Sequence, residues 1–344
     1  MLKEMNKKKL AILAVVLVLL IVLPAILNLN LSVMSILITV LLYMFYSSSW
    51  NIMGGYTGLF SIGNGIYIGL GAYITAILFV DAHITPWVGI ILAALITGLF
   101  SVILGYPTFK LQKIYYSFAT FALLEVMRTI FKNFKVIFGI KTGAAEGFKI
   151  AAAQDPANMQ FSSKLPYYYI ILALTVIILI VSWAISHSKR GYYFRAISAN
   201  QDAAASLGVN VLSLKLQAQF VSAFFCAVGG GFYCMYMNYI DPSKLFGGDL
   251  SINIMMMCVV GGANTLWGPI LGAGLMYTIN RVVTIYAANI GGLANIVFGA
   301  VLMLVVFFMP GGILGWFAEK REERAMAAHK AELLAAQEGG GCDA

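Results

Sequence analysis

Charge is scarce in this chain. Only 10% of its 344 residues are Asp, Glu, Lys or Arg, 61% are hydrophobic, and mean hydropathy is +0.88. A soluble chain of this length would be far more polar. Cysteine is scarce too: Cys226, Cys234, Cys258 and Cys342 form no CxxC, and three of the four lie inside apolar runs, which points to buried thiols rather than a disulfide framework or a zinc ribbon. The three histidines are far apart, so no metal-ligand cluster is expected. There is no GxxxxGK followed by Ser or Thr, so this chain is not expected to hold ATP through a P-loop. HExxH, GxSxG and carboxylate pairs at metal spacing are also missing, which argues against an intramembrane enzyme. A proton pump built on several buried acids lacks its acids. A net charge of +8 fits basic cytoplasmic loops in a membrane protein better than nucleic-acid binding.

What the chain does have is long apolar runs. They recur at about the length of a bilayer core, which predicts an all-α polytopic membrane protein and not an outer-membrane barrel. Expected spans cover residues 10–27, 31–53, a glycine-broken piece continuing to 80, then 87–104, 114–131, 166–185, 214–236, a short one ending at the glycine break 261–262, 270–286 and 293–309. That is about ten spans. The N-terminus resembles a secretory signal, but its apolar core is long and no A-x-A site follows, so it reads as an uncleaved span. Lys3, Lys7, Lys8 and Lys9 place it inside, and both termini are expected to be cytoplasmic. The polar loop 132–165 is expected outside despite Lys132, Lys135, Lys141, Lys149 and Lys164, because the charge at 189–195, at Lys215 and at both termini agrees with the opposite parity. Residues 1–315 form one membrane domain, and 316–344 a charged, alanine-rich cytoplasmic tail.

The longest polar interruption between two apolar blocks is SHSKRGYYFRAISANQDAAASLGVN, within residues 186–210. Lys189, Arg190 and Arg195 open it; Ala203, Ala204, Ala205 and Ser206 follow, and Leu207-Gly208 ends it. This pattern predicts a short cytoplasmic helix with a glycine stop. Its small face suits close docking against another protein, so it reads as the part of the chain that receives a force.

Within the spans, Glu125 and Arg128 sit three residues apart on one helix face. Each alone would cost roughly 2.5–3.5 kcal/mol at a helix centre. Two readings stand: a pair facing the interior or a wet cavity, and an ion pair at the outer interface with Arg128 snorkelling. The glycines of residues 54–71 allow close helix packing. Broken helices in lipid persist only where they line a cavity or are buried in protein. The polar members of that piece, Asn51, Tyr56, Ser61 and Asn64, are therefore candidate pathway residues, as is Asn264 in the turn GGAN.

In order, the chain carries GYTGLFSIGNGIYIGLGAY, YYSFATFALLEVMR, TGAAEGF, RAISANQDAAASLGVNVLSLKLQAQFVSAF, VVGGANTLWGP and MPGGILG. Over residues 31–315 this resembles the ABC-transporter permeases for branched-chain amino acids, especially the LivM-type subunit. The resemblance implies a type II ABC importer-like fold. It also implies a prokaryotic cytoplasmic-membrane complex with a second, LivH-like permease, two cytoplasmic ATPases that hold ATP and Mg, and an extracytoplasmic binding protein that delivers leucine, isoleucine or valine. No cofactor is expected in this chain itself, and its further surroundings are membrane lipid. The stretch Asn200, Gln201, Asp202, Ala203, Ala204, Ala205, Ser206, Leu207 and Gly208 falls where that family docks its ATPase, within a coupling loop spanning 187–210. Ser198, Gln201 and Ala205 stand where members often carry charge. Competing expectations are an ABC permease for urea or short amides, one for sugars or nucleosides, and a stand-alone secondary transporter. The last would show buried coupling-ion acids and two similar halves.

Overall fold

In the outward face of the helix Pro86–Thr108, large apolar side chains are turned away from the protein. Ile91, Leu95, Leu99 and Ile103 are exposed, while Ala93, Ala94, Thr97, Gly98 and Ser101 face inward. A water-soluble helix does the reverse. Small residues inside and branched apolar residues outside are what lipid demands, because tight backbone approach rather than the hydrophobic effect joins helices there.

The computed structural model describes residues 30–316 apart from 138–139, 142, 152–154, 287–292 and 310, and beyond these 319–320 and 326. The span expected at 10–27 and most of the tail expected from 316 lie outside the described residues. The chain is an all-α polytopic membrane protein. Helix α1 (Leu31–Met53) is followed by the non-helical segment 54–63, α2 (Asn64–Val80), α3 (Pro86–Thr108) and α4 (Lys113–Asn133). After a long loop come α5 (Leu165–Ser186), the short α6 (Lys189–Ala199) and α7 (Gln201–Ser206), and the long α8 (Val211–Met237). The one-turn α9 (Pro242–Leu245), α10 (Gly248–Gly261), α11 (Gly268–Tyr286) and α12 (Leu293–Phe308) follow. Among the described residues, six stretches are long and apolar enough to cross a membrane: Leu31–Met53, Pro86–Thr108, Ile114–Asn133, Leu165–Ser186, Val211–Met237 and Pro242–Gly261. Asn64–Val80 is apolar but shorter. The break expected after residue 53 is real: α1 ends there, and ten residues without helix precede α2.

Helix α8 is the centre of the bundle and packs against α1, α2 and α3. Its run Gly229-Gly230-Gly231 is buried. At the crossing with α2 the two backbones touch. A methyl added at Gly230 would sit on the carbonyl oxygen of Ile68, and one added at Gly71 on that of Ala227, both well inside van der Waals contact. The three described cysteines, Cys226, Cys234 and Cys258, are free and fully buried in α8 and α10.

At one end of the bundle two loops are stitched together. In the loop after α4, strand β1 (Val136–Ile137) pairs antiparallel with β2 (Ile140–Lys141). Strand β3 (Phe148–Lys149) pairs with β4 (Tyr239–Ile240), which follows α8. Ile150 N donates to Asn238 O at 3.0 Å, and the Tyr239 hydroxyl donates to Glu146 O at 3.1 Å. Helix α5 separates this end from residues 187–210, so the basic loop 132–165 and the coupling stretch lie at opposite ends.

Candidate functional site

Three caps build the coupling stretch within 25 residues. Ser188 opens α6, its Oγ accepting from Gly191 N at 3.3 Å. Helix α6 seats Gly191, Phe194 and Ile197 against the bundle, and Arg195 Nη2 donates to Ser186 O at 2.9 Å, neutralising a carbonyl at the end of α5. Asn200 then ends α6 and opens α7: its Oδ1 accepts from Asp202 N at 3.0 Å and Ala203 N at 3.1 Å. Gly208 stops the chain in the left-handed region at φ +82°, and Asn210 Oδ1 accepts from Ser213 N at 3.1 Å to open α8. Between Asn200 and Gly208 only Ala204 is buried. Leu207 is 85% exposed. The result is a foot held by its own caps, presenting Asp202, Ala203, Ala205, Ser206, Leu207 and Gly208 to whatever lies beneath.

The broken segment 54–63 is packed at the same end as this foot. The Tyr56 hydroxyl is 2.8 Å from Ser182 Oγ in the last turns of α5. Gly58 lies against Ser198 of α6, close enough that a methyl there would strike its side chain. The sequence treats foot and break as separate features, and the fold brings them into contact.

Asn51, Tyr56, Ser61, Asn64 and Asn264 gather around this break, but their polar atoms are not equivalent. Asn51 is buried and spent on structure: its Nδ2 donates to Thr265 O at 2.8 Å, and its Oδ1 accepts from Asn264 N at 3.0 Å. It thereby holds the turn 262–267 against the end of α1, with Asn264 itself in the left-handed region at φ +67°. Ser61 accepts from Trp50 Nε1 through its carbonyl at 2.8 Å, and its Oγ accepts from Gly63 N at 3.3 Å. Asn64 differs. It opens α2 at 2% exposure, and its Nδ2 has no partner. An unpaired buried amide is costly, so it stands out as a group available to a ligand. The start of α2 is otherwise well tied: Ile62 N donates to Thr120 Oγ1 at 3.1 Å, and Gly65 N to Ser251 Oγ at 2.8 Å.

Glu125 and Arg128 lie apart from that cluster, on α4. They form an ion pair of 3.3 Å with side chains 39% and 35% exposed. Helix α4 is the least buried of the six crossing stretches, and Ile114, Tyr115, Phe118 and Val126 are exposed along it. Glu125 also sits beside Gly248, at the start of α10.

A cavity of about 500 Å³ opens at the far end, near the stitched loops, lined among others by Ser35, Thr39, Lys164, Tyr236, Tyr277 and Arg281. None of the seven expected pathway residues lines it. Sequence reading took Lys215 only as a cytoplasmic charge and passed over Gln219, Tyr67 and Tyr116, which join it in a buried chain described below. The signal available was LKLQAQF, polar residues at the start of an apolar span, where a snorkelling lysine is the ordinary reading.

The model of the family described as "Branched-chain amino acid transport system / permease component" matches residues 32–306. The chain is similar to the high-affinity branched-chain amino acid transport system permease protein LivM of Salmonella typhimurium, with 22% identity over 293 residues, covering 80% of this chain and 68% of that one. It is 23% identical to the protein of the same name in Escherichia coli, with the same coverage. It is 25% identical over 279 residues to the probable branched-chain amino acid transport permease protein LivH of Methanocaldococcus jannaschii, covering 77% of this chain and 86% of that one. No solved structure matches.

Proposed function

Since the chain belongs to the family of branched-chain amino acid transport permeases, we propose that it is the membrane-spanning subunit of an ATP-binding-cassette importer for leucine, isoleucine and valine. The observation that carries the reading is the family match across residues 32–306, which includes the capped, exposed foot at 200–208. Two partner ATPases hold the nucleotide, and one of them docks on that foot from the cytoplasm. A second, LivH-like permease completes the membrane part, and an extracytoplasmic binding protein delivers the amino acid at the stitched-loop end. The protein sits in the prokaryotic cytoplasmic membrane with both termini inside.

The mechanism rests on differential contacts in two states. Closure of the ATPase pair displaces the foot. Through Gly58 against Ser198, and Tyr56 against Ser182, that displacement reaches the broken segment and the start of α2. The pathway runs along the exposed side of α4, where a half-exposed ion pair is tolerable only if it faces water or a partner. Glu125 and Arg128 there offer opposite charges to the ammonium and carboxylate of a zwitterion. Asn64 Nδ2, buried at the foot end, offers a donor to that route once movement of the foot uncovers the start of α2.

Reconstitution tests the reading. Proteoliposomes holding this chain, a LivH-like permease and two ATPases should take up leucine, isoleucine and valine when ATP is inside and loaded binding protein outside. Uptake driven by an ion gradient without ATPases would overturn it. So would a urea-, sugar- or nucleoside-loaded binding protein that alone raised ATP hydrolysis.

Asn64 allows a sharper check. Asn64→Leu removes an unsatisfied buried amide, so melting in detergent should be unchanged or improved, by up to about 1–3 kcal/mol. Uptake should nevertheless fall. Unchanged initial rates at all leucine concentrations would remove Asn64 from the pathway.

A further inference from the structure

Lys215 lies just inside the start of α8 and is 2% exposed, in a place where most lysines reach water. Its Nζ donates to Gln201 Oε1 at 2.5 Å and lies 5.9 Å from the centroid of the Phe109 ring. Phe109 ends α3 and stacks on Tyr116 of α4, with ring centroids 5.4 Å apart and planes 24° from parallel. The Tyr116 hydroxyl donates to Gln219 Oε1 at 3.4 Å, and Gln219 Nε2 donates to the Tyr67 hydroxyl in the first turn of α2. Tyr116, Gln219 and Tyr67 are all buried. A continuous line of side chains therefore runs from the exposed foot, through the α3–α4 turn, to the helix that begins at Asn64.

Holding an ammonium out of water costs several kcal/mol unless it is well compensated, so a buried lysine is weak evidence for stability. The charge is thus better explained by a tie than by stability. It fastens Gln201 at the first turn of α7 to the bundle while residues 202–208 stay free to meet a partner.

We propose that Lys215 is a positioning residue of the transport cycle: it locks the foot to α8 and passes its displacement through Phe109, Tyr116 and Gln219 to Tyr67 and the start of α2. The proposal rests on the reading of α7 as the ATPase-docking surface. Losing Lys215 leaves that surface intact but slackens its connection to the pathway. Gly58 against Ser198 remains as a parallel contact, so the connection weakens without vanishing.

The experiment uses the complete importer in proteoliposomes, reading ATPase capture, basal hydrolysis and amino acid moved per ATP. Lys215→Met should melt no lower than wild type, capture the ATPases and keep basal hydrolysis, yet move about tenfold less substrate per ATP, within the usual range of coupling between sites. Lys215→Arg, which keeps the cation and its reach, should recover most of the loss. Gln201→Ala should lower transport per ATP as Lys215→Met does, and the double variant should be no worse than either single one. Wild-type transport per ATP in Lys215→Met would overturn the proposal, as would effects that multiply in the double variant, or loss of ATPase capture with the foot unaltered. Failure of the docking reading looks different: capture would then persist when the foot itself is disrupted at Gly208, whatever Lys215 does.

Discussion

Gly208→Arg leaves the permease folded in the membrane and stops transport. The residue is in the left-handed region, and a side chain added there would meet nothing within 4 Å. Room is therefore not the obstacle to folding. The variant adds a backbone cost of about 1–2 kcal/mol, local to the turn, and a long cation at the tip of the foot. Loss of ATPase affinity on the order of 100-fold is expected, the scale of disrupting an interface hot spot. Co-purification of the ATPases and uptake by whole cells would both show it. Gly208→Asn separates the two causes, since asparagine accepts the left-handed conformation at low cost. It should keep capture and uptake. Normal uptake by the arginine variant would sink the docking role of residues 200–208.

Gly230→Val should do the opposite, removing the protein rather than its coupling. The valine Cβ would overlap the backbone carbonyl of Ile68, which cannot rotate away. The α2–α8 crossing has a glycine on each side, Gly230 and Gly71, so relief on one helix drives strain into the other. Overpacking a tight core costs about 1–3 kcal/mol even where side chains can yield. Here backbone must move, and the expected outcome is little or no monodisperse protein after detergent extraction. Gly89→Ala is the matched control: its added methyl meets only Leu78 Cβ, at 3.9 Å, and should behave as wild type. A Gly230→Val protein that eluted and melted normally would show that the two helices can separate without loss of the fold.

The limits of α1 were legible because a run of apolar residues ends at two glycines, and the structure stops the helix at Met53. The foot was legible because Asn200 and Gly208 are strong local signals, a side-chain cap and a left-handed stop, each acting within a few residues. What the sequence could not show is partnership over distance. Asn51 reads as a polar residue in a span, and it is closed upon a turn 213 residues later. Gln219 and Tyr67 meet across 152 positions, and neither carries a local signature of the other. Strands β3 and β4, two residues each, are too short to leave an alternating pattern, so the joining of the two loops was invisible as well. The Glu125–Arg128 contact was readable, because helical spacing alone brings those residues together.

The sealed thiols of α8 and α10 have a practical consequence. Cysteines enclosed in apolar surroundings are inert toward alkylating reagents. With Cys342 replaced, a single new cysteine at Ala203 or Leu207 would react alone, so a fluorophore or spin label could report on the foot as ATP turns over, against a silent background.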